Sequence, residues 1–244
     1  MEYILTKQAL TANGWENNIQ IGIRPDGRID SLGPVTTTKG HHVDIALPAP
    51  ANAHSHTFQR AMAGLTEARG PDPKDSFWTW RRLMFQFLDQ INPDQIEAIA
   101  ALAFMEMLES GYGAVAEFHY LHHAVGGTPY ANLPELSERI ITAAETAGIG
   151  LTLLPVLYQY GGCDRRALVG GQLRFSNDPD RFAALHEGAA SGIQNSHDDY
   201  RIGVAPHSLR AVDPQGLVAA IGLCDDGPIH MHLAEQVAEV DEVQ

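Results

Sequence analysis

Two pairs of histidines are the residues of this sequence best suited to chemistry. His54 and His56 lie two apart in "NAHSHTFQR", and His230 and His232 lie two apart in "PIHMHLAEQ". Residues i and i+2 of a β-strand point to the same face, so each pair can direct both imidazoles at one ion. Neutral imidazole is the commonest metal ligand in proteins. One pair alone is only moderately specific, because two incidental surface histidines produce the same pattern.

A carboxylate, Glu235, follows the second pair three residues after His232. Catalytic zinc sites keep an open position for a water molecule, and the metal lowers the pKa of that water. A carboxylate beside such a water can transfer protons. These residues predict a hydrolytic metal site in which His232 could supply a third nitrogen. The alternative is that His230 and His232 are hydrogen-bonded interior residues.

The elements that must position these residues follow a change of pattern along the chain. Residues 1 to about 48 are β-rich, and "IQIGIRPDGRIDSLG" predicts a hairpin with its turn at Pro25-Asp26-Gly27. From Ile45 onward, short apolar runs alternate with helical ones, which is typical of βα units around a parallel sheet. We therefore divide the chain into a β portion, residues 1–48, and an α/β domain, residues 49–244.

Five strands are predicted in the second part, and polar residues gather where they end. Their sequences are "APANAHSH", "GAVAEFHY", "IGLTLLPVLY", "YRIGVAPHS" and "IHMHLAE". The clearest helix starts at "NPDQIEAIAALAFMEMLESGYG", where Asn92 can cap, Pro93 suits the first helical position and Gln95 can close a capping box. In a (β/α)₈ barrel the active site lies at the C-terminal ends of the strands. An open five-stranded sheet is the alternative α/β architecture.

Composition and charge exclude several classes of function. The chain has 244 residues and a formal charge of −14, which argues against nucleic acids and anionic membranes as partners. No apolar run approaches the ~18–20 residues of a membrane-spanning helix, and "MEYILTKQALTANG" lacks the features of a signal peptide. We expect a cytoplasmic protein. Its two cysteines, Cys163 and Cys224, have no paired spacing and are interpreted as packing residues.

Six phrases of the sequence resemble the metal-dependent amidohydrolases, and among them the formimidoylglutamate deiminases of histidine degradation. They are "HSHTFQRAMAGLTE", "SFWTWRRLM", "EFHYLHH", "LLPVLY", "APHSLRAV" and "HMHLAEQVAEVDE". The first histidine pair alone is weakly specific to the superfamily. The phrases together, in this order and spread over nearly all of residues 50–244, are highly specific to the deiminases.

The resemblance implies a fold and a reaction. The fold is a TIM-like (β/α)₈ amidohydrolase barrel, of which about the first five βα units are present here, plus the N-terminal part of a small β-sandwich domain. The reaction is hydrolysis of N-formimidoyl-L-glutamate to N-formyl-L-glutamate and ammonia, in which a metal-bound hydroxide attacks the formimidoyl carbon. A hydrolytic site with nitrogen and oxygen ligands favours Zn²⁺, with one divalent ion in each subunit.

The resemblance also assigns residues. It implies that His54, His56 and His232 bind the metal and that Glu235 is the proton shuttle, whereas His230 supports or packs against the site. Substrate binding falls on five residues: Gln59, Arg81, Tyr120, His207 and Arg210. Arginine forks match carboxylates in two parallel hydrogen bonds, and the substrate has two carboxylates. We expect "SFWTWRR", which contains Arg81, to be a loop that folds over the site.

Two other functions remain open from the sequence. One is another amidohydrolase-type deaminase, acting on a purine or pyrimidine; Arg81 and Arg210 disfavour it, because a neutral base has no evident use for two arginines. The other is an inactive truncated half-barrel that serves only as a metal-binding or interaction module. The retention of Glu235 and of the candidate substrate residues gives this hypothesis no positive support.

The sequence departs from the family in one respect. Relatives have eight barrel strands, a further histidine after the sixth and an aspartate after the eighth, and their small β-domain is completed from the C-terminus. This chain supplies about five strands and ends at Gln244, within the helix expected after the fifth. We interpret it as a fragment of a longer chain; the alternative is a truncated product that folds poorly. Relatives suggest a homodimer.

Overall fold

Two compact units, Met1–Pro50 and Ala51–Gln244, make up the chain. The computed structural model describes residues 1–66 and 77–243. Within these residues no helix combines the length and the apolar character that crossing a membrane requires.

The first unit contains a four-stranded sheet in the order β3-β2-β1-β4. Its strands are β1 (Glu2–Thr11), β2 (Gly14–Ile23), β3 (Ile29–Pro34) and β4 (His41–Ala46). β1 and β4 are parallel, whereas β1 with β2 and β2 with β3 are antiparallel. The turn between β2 and β3 is closed by the hydrogen bond from the Gly27 N–H to the Arg24 carbonyl, 2.9 Å. The predicted hairpin is therefore confirmed.

The second unit is built on a parallel sheet in the order β5-β6-β7-β8, with β9 also paired to β7. Its strands are β5 (Ala51–Ser55), β6 (Ala114–His119), β7 (Gly150–Leu157), β8 (Arg201–Ile202) and β9 (Ala205–Pro206). Both faces of a parallel sheet are usually covered, so its central strands are apolar throughout. Accordingly, five successive residues of β7, from Leu153 to Leu157, are buried.

Within residues 1–66 and 77–243, six α-helices connect these strands or follow them. They are α1 (Phe77–Leu88), α2 (Pro93–Glu109), α3 (Glu135–Ala147), α4 (Pro179–Gln194), α5 (Pro214–Ile221) and α6 (Val237–Val243). α2 begins as predicted, because the Asn92 side chain accepts from the Gln95 N–H and the Gln95 side chain accepts from the Asn92 N–H. The predicted alternation of strands and helices is confirmed for the four helices α2 to α5.

The predicted fifth strand, "IHMHLAE", is reduced to one β-bridge between Ile229 and Val204. The His230 N–H donates to the Val204 carbonyl and the His232 N–H to the His207 carbonyl. The two donors are two residues apart but the two acceptors are three apart. The extra residue interrupts a regular ladder, as in a β-bulge. The segment nevertheless runs beside β9, so both histidine pairs reach the same edge of the sheet.

The prediction that "SFWTWRR" is a loop is wrong for the part that the structure describes. Ser76 lies outside the described residues, and α1 begins at Phe77. Trp80, Met84 and Leu88 recur every four residues, which places them on one helical face, and Met84 and Leu88 are buried. The helical spacing of these apolar residues favours a helix over a loop, and this helix holds Arg81 in position.

A buried arginine, Arg174, joins three segments of the second unit. It is fully buried, and its guanidinium donates to the carbonyls of Leu88, Ile91 and His123, the last two at 3.0 and 2.8 Å. Buried carbonyls without donors are destabilising. Arg174 therefore stabilises the end of α1 and the loop that follows β6.

We expect Arg174→Met to reduce the free energy of unfolding by about 3 kcal/mol, because each buried carbonyl that loses its donor costs about 1–3 kcal/mol. Urea unfolding followed by circular dichroism measures this change. Arg139→Met is the matched control: Arg139 is 32% exposed and pairs with Asp94, Glu97 and Glu135 at the surface. Its loss should cost about 0–1 kcal/mol for each surface pair. Equal effects of the two variants would contradict the role given to Arg174.

Candidate metal centre

The first histidine pair converges as its spacing predicts. His54 lies near the end of β5 and His56 directly follows it, and their Nε2 atoms are 3.0 Å apart. The pairing of β5 with β6 shifts by one residue between Asn52 and Ser55. Irregularities of this kind redirect side chains, and they are frequent beside active sites. Here the shift spans Ala53 and His54, so it includes the first histidine of the pair.

His56 is held in the form that binds metals. Its Nδ1 lies 3.0 Å from the Phe118 carbonyl oxygen, so Nδ1 carries the hydrogen and donates it. Burial is the main cause that lowers the pKa of His56 to about 3; the bond to Phe118 acts in the opposite direction, and the neighbouring His54 and His232 contribute smaller decreases. The ring is therefore neutral at physiological pH. Its Nε2 lone pair faces His54, as in a metal-binding histidine oriented by a backbone carbonyl.

His232 completes a group of three. One ring nitrogen from each of His54, His56 and His232 can be chosen so that all three lie within 4.8 Å of one another. The Phe118 ring stacks on the His232 ring, with centroids 4.4 Å apart and planes at 24°. Burial lowers the pKa of His232, against the raising effect of Glu235. Three neutral imidazoles fit a divalent metal such as zinc, and the donor set suits no alkali or alkaline-earth ion.

His230 is not one of these three. Its ring is nearly parallel to that of His54, with centroids 6.4 Å apart and planes at 18°. The His230 ring therefore lies alongside the His54 ring and is not one of the three rings whose nitrogens converge.

Glu235 reaches the site through a turn. Ala234 has a left-handed φ of 54°, which non-glycine residues rarely adopt and which occurs often at functional sites. The Glu235 carboxylate accepts from Arg210 at 3.2 Å, and the Arg210 side chain is 7% exposed. The ion pair holds the Glu235 carboxylate in position, and both residues line the same cavity.

A cavity of about 370 Å³ opens beside the histidines. This volume lies within the range of small-molecule sites. All five predicted substrate residues line it, together with two of the three histidines and Glu235: His56, Gln59, Arg81, Tyr120, His207, Arg210, His232 and Glu235. His54 lies outside the lining, against the Phe118 ring at 5.2 Å. The residues named from the sequence are therefore neighbours in space.

Gln59 and Tyr120 form one wall of this cavity. The Gln59 amide donates to the Tyr120 hydroxyl at 2.9 Å, and the Tyr120 ring meets the His56 ring at 5.1 Å, nearly edge to face. Burial raises the pKa of Tyr120, so its hydroxyl keeps its proton.

His207 lines another part of the cavity, and its Nδ1 is 3.0 Å from the Ser208 hydroxyl. Burial lowers the pKa of His207 well below its usual range, so this ring is neutral as well.

Five lining residues were not identified from the sequence: Trp80, Met84, Phe85, Tyr158 and Phe175. The Tyr158 hydroxyl accepts from Arg81 at 3.5 Å and from the Gln172 amide at 3.4 Å. One signal was present, since Tyr158 ends the motif "LLPVLY" at the carboxyl end of β7, where barrel enzymes place functional groups. The others lie on α1 and on a short 3-10 helix, Gly170–Phe175, whose positions depend on tertiary packing.

Two family models match the chain. The model described as "Amidohydrolase family" matches residues 45–244. The model described as "Formimidoylglutamate deiminase HutF, N-terminal domain" matches residues 1–41. Together they cover nearly the whole chain, and the boundary between them lies close to the boundary between its two compact units.

Individual relatives agree with these matches. Formimidoylglutamate deiminase of Pseudomonas aeruginosa is 44% identical over all of this chain, which covers 54% of that protein. The crystal structure of an amidohydrolase from Brucella melitensis superposes with a TM-score of 0.93 and 47% identity over 100% of this chain and 54% of the other. An adenosine deaminase from Xanthomonas campestris with bound zinc has the same fold, with a TM-score of 0.69 and 16% identity over 98% of this chain and 50% of the other.

The chain spans about half the length of the curated relatives it matches. The prediction of an α/β amidohydrolase barrel, of which this chain holds a part, is confirmed by the parallel sheet and by these structural matches. The family match covers residues 45–244 and includes every residue of the candidate site. The chain belongs to the amidohydrolase family.

Proposed function

We propose that the protein containing this chain hydrolyses N-formimidoyl-L-glutamate to N-formyl-L-glutamate and ammonia. The observation that carries the proposal is one cavity in which two arginines, Arg81 and Arg210, lie beside the histidine cluster. The similarity to a formimidoylglutamate deiminase over the whole chain supports it. The substrate is a dicarboxylate with an amidine-like group, so it needs cationic groups at one end and hydrolytic groups at the other.

Zinc is the proposed metal, and His54, His56 and His232 would hold it. Their neutral imidazoles and the zinc in a relative of the same fold support this choice. When bound, zinc polarises a water molecule and makes it nucleophilic near neutral pH.

Arg81 and Arg210 orient the substrate by its carboxylates. The charge of the whole chain is −14, so local arginines are needed to make the cavity attractive to an anion. The Nε–H of Arg210 is buried and has no hydrogen-bond partner within residues 1–66 and 77–243. A substrate carboxylate can accept from it, and a hydrogen bond between charged groups is stronger than one between neutral groups.

Glu235 moves the protons. In the net reaction one water adds to the formimidoyl carbon, the bond from that carbon to the terminal nitrogen breaks, and the nitrogen leaves as ammonia. The departing nitrogen needs protons that the attacking water loses. Glu235 lines the cavity next to His232, which allows it to accept a proton from the water and to deliver it to the nitrogen.

The other two hypotheses have less support. A purine or pyrimidine deaminase would explain the shared fold, yet the adenosine deaminase with bound zinc is only 16% identical, which shows the fold alone. A neutral base also leaves two arginines without an anionic partner. An inactive half-barrel is not favoured, because the match over the whole chain is to a deiminase.

The natural protein that contains this chain should release ammonia from N-formimidoyl-L-glutamate, and removal of the metal by a chelator should abolish that release. Added zinc should restore it, because the metal makes the water nucleophilic. A coupled ammonia assay, with the metal content measured on the same samples, gives the result. Unchanged turnover in metal-free protein, or turnover of guanine or adenosine instead, would refute the proposal.

Glu235→Gln should lower kcat by about 10²–10⁴-fold, since the amide cannot accept or deliver the proton. The zinc content should stay at the wild-type level, because the three residues proposed to hold the metal are histidines and Glu235 is not one of them. Steady-state kinetics and metal analysis on one preparation test both statements. A variant that retains wild-type kcat would rule out the proton-transfer role.

Arg81→Met should raise KM by about 10–100-fold, corresponding to the 1.5–3 kcal/mol typical of a hydrogen bond to a charged group. Arg82→Met is the matched control: it removes the same charge from the next residue of α1, whose side chain is exposed and does not line the 370 Å³ cavity. Its KM should stay near the wild-type value. The same increase in both variants would mean that long-range charge, and not contact with the substrate, is responsible.

A further inference from the structure

A buried glutamate, Glu117, lies next to the metal centre and is not explained by the reaction above. It is on β6 and is 1% exposed. Burial raises the pKa of its carboxyl to about 7, although hydrogen bonds from Thr57 act to lower it. Burying an ionisable group is costly, and a well-packed apolar residue in its place is often neutral or stabilising. Packing alone therefore does not explain why a glutamate is buried at position 117.

Glu117 binds the residue that follows the first histidine pair. Its Oε1 accepts from the Thr57 N–H at 2.8 Å and from the Thr57 hydroxyl at 2.8 Å. Thr57 is the first residue of a 3-10 helix, Thr57–Met62, and the residue before it, His56, makes no side-chain capping bond. Helix starts leave N–H groups without partners, and side-chain oxygens usually satisfy them. Here the oxygen comes from a neighbouring strand and not from the helix itself.

Glu117 also faces the residue between the two histidines. In the pairing of β5 with β6, Ser55 lies opposite Glu117. Ser55 and Thr57 are the neighbours of His56 on either side, and both are buried. The backbone that carries His56 is thus attached to the Glu117 position before and after the histidine.

The next residue of β6 acts on the same ring. The Phe118 carbonyl accepts from His56 Nδ1 at 3.0 Å, and the Phe118 ring stacks on His232. Two successive residues of one strand therefore contact the backbone around His56, its ring, and the ring of His232. Hydrogen-bonding groups outside the ligands commonly set ligand orientation in metal sites.

We propose that Glu117 is a positioning residue of the metal centre, which directs His54 and His56 by holding the start of the 3-10 helix at Thr57. Glu117 does not line the 370 Å³ cavity and does not belong to the three residues that could hold a metal ion. The inference rests on the proposed metal site and adds a residue that determines how tightly that site binds its ion.

Zinc affinity of the natural protein containing this chain tests the proposal without a catalytic assay. Competition with a chromogenic chelator gives the zinc dissociation constant of the wild type and of each variant. Glu117→Ala should weaken zinc binding by about 10–100-fold, the usual effect of removing a group that orients metal ligands. Glu117→Gln should retain most of the affinity, because the amide oxygen can accept the same two hydrogen bonds.

Thr57→Val gives a milder test if Glu117→Ala folds poorly. It keeps the size of the side chain and the backbone N–H but removes the hydroxyl donor, so it should weaken zinc binding less than Glu117→Ala. Added to Glu117→Ala, it should cause little further loss, since contacting residues are not additive. Full additivity of the two changes would contradict a shared role.

Arg174→Met is the control for general destabilisation. It should lower the melting temperature of the metal-free protein and leave the zinc dissociation constant unchanged, because Arg174 contacts none of the three histidines in the hydrogen bonds it forms. If Glu117→Ala lowers the melting temperature but binds zinc as tightly as the wild type, the inference is overturned while the proposed function stands. A wild-type protein that binds no zinc would overturn both.

Discussion

The hydrogen bond from His56 Nδ1 to the Phe118 carbonyl is the interaction on which the candidate site depends. It decides which nitrogen of the ring carries the proton and therefore which one is available to a metal. Burial supports the same outcome, because a buried imidazole loses stability when it is charged and its pKa falls. A strand carbonyl and a dry environment together keep His56 neutral and oriented.

This arrangement requires two strands that are distant in sequence to be adjacent in space. β5 and β6 are neighbours in the parallel sheet, and their carboxyl ends lie at one edge. β9 and the segment that carries His232 reach the same edge through backbone hydrogen bonds at Val204 and His207. The sheet thus brings histidines from its first strand and from its last bridged segment close enough together that they could hold one ion, while α1 adds Arg81 beside them.

Two buried arginines of the second unit, Arg174 and Arg210, use their hydrogen-bond donors differently. Arg174 is buried among backbone carbonyls away from the cavity, where its Nε and Nη1 donate to acceptors that would otherwise be unpaired. Arg210 is also buried, at 7% exposed, and it lines the cavity, where its Nε–H has no partner among the described residues and its Nη2 pairs with Glu235. The first arrangement contributes to stability. The second leaves hydrogen-bonding capacity at the cavity, which is what an anionic substrate would use.

The sequence by itself determined the elements whose signals are local. The hairpin at Pro25-Asp26-Gly27 and the capped start of α2 at Asn92 depend on residues only a few positions apart, so composition and spacing were sufficient. The histidine pairs and the strand ends could also be predicted, because alternate residues of a β-strand lie on the same face. Combined with the resemblance to the amidohydrolases, these signals identified eight of the thirteen residues that line the cavity.

Only the tertiary structure decided how these residues meet. Three features involve partners far apart in sequence: the shift in strand pairing between Asn52 and Ser55, the extra residue that reduces the fifth predicted strand to a bridge, and the contact of the Glu117 carboxylate with Thr57. The sequence prediction for α1 is wrong although a local signal exists, since Trp80, Met84 and Leu88 recur at helical spacing and Met84 and Leu88 are buried. The contacts at the strand shift, the bridge and Glu117 have no such signal. Local propensity cannot specify such contacts, because their free energy comes from packing and desolvation in the folded chain.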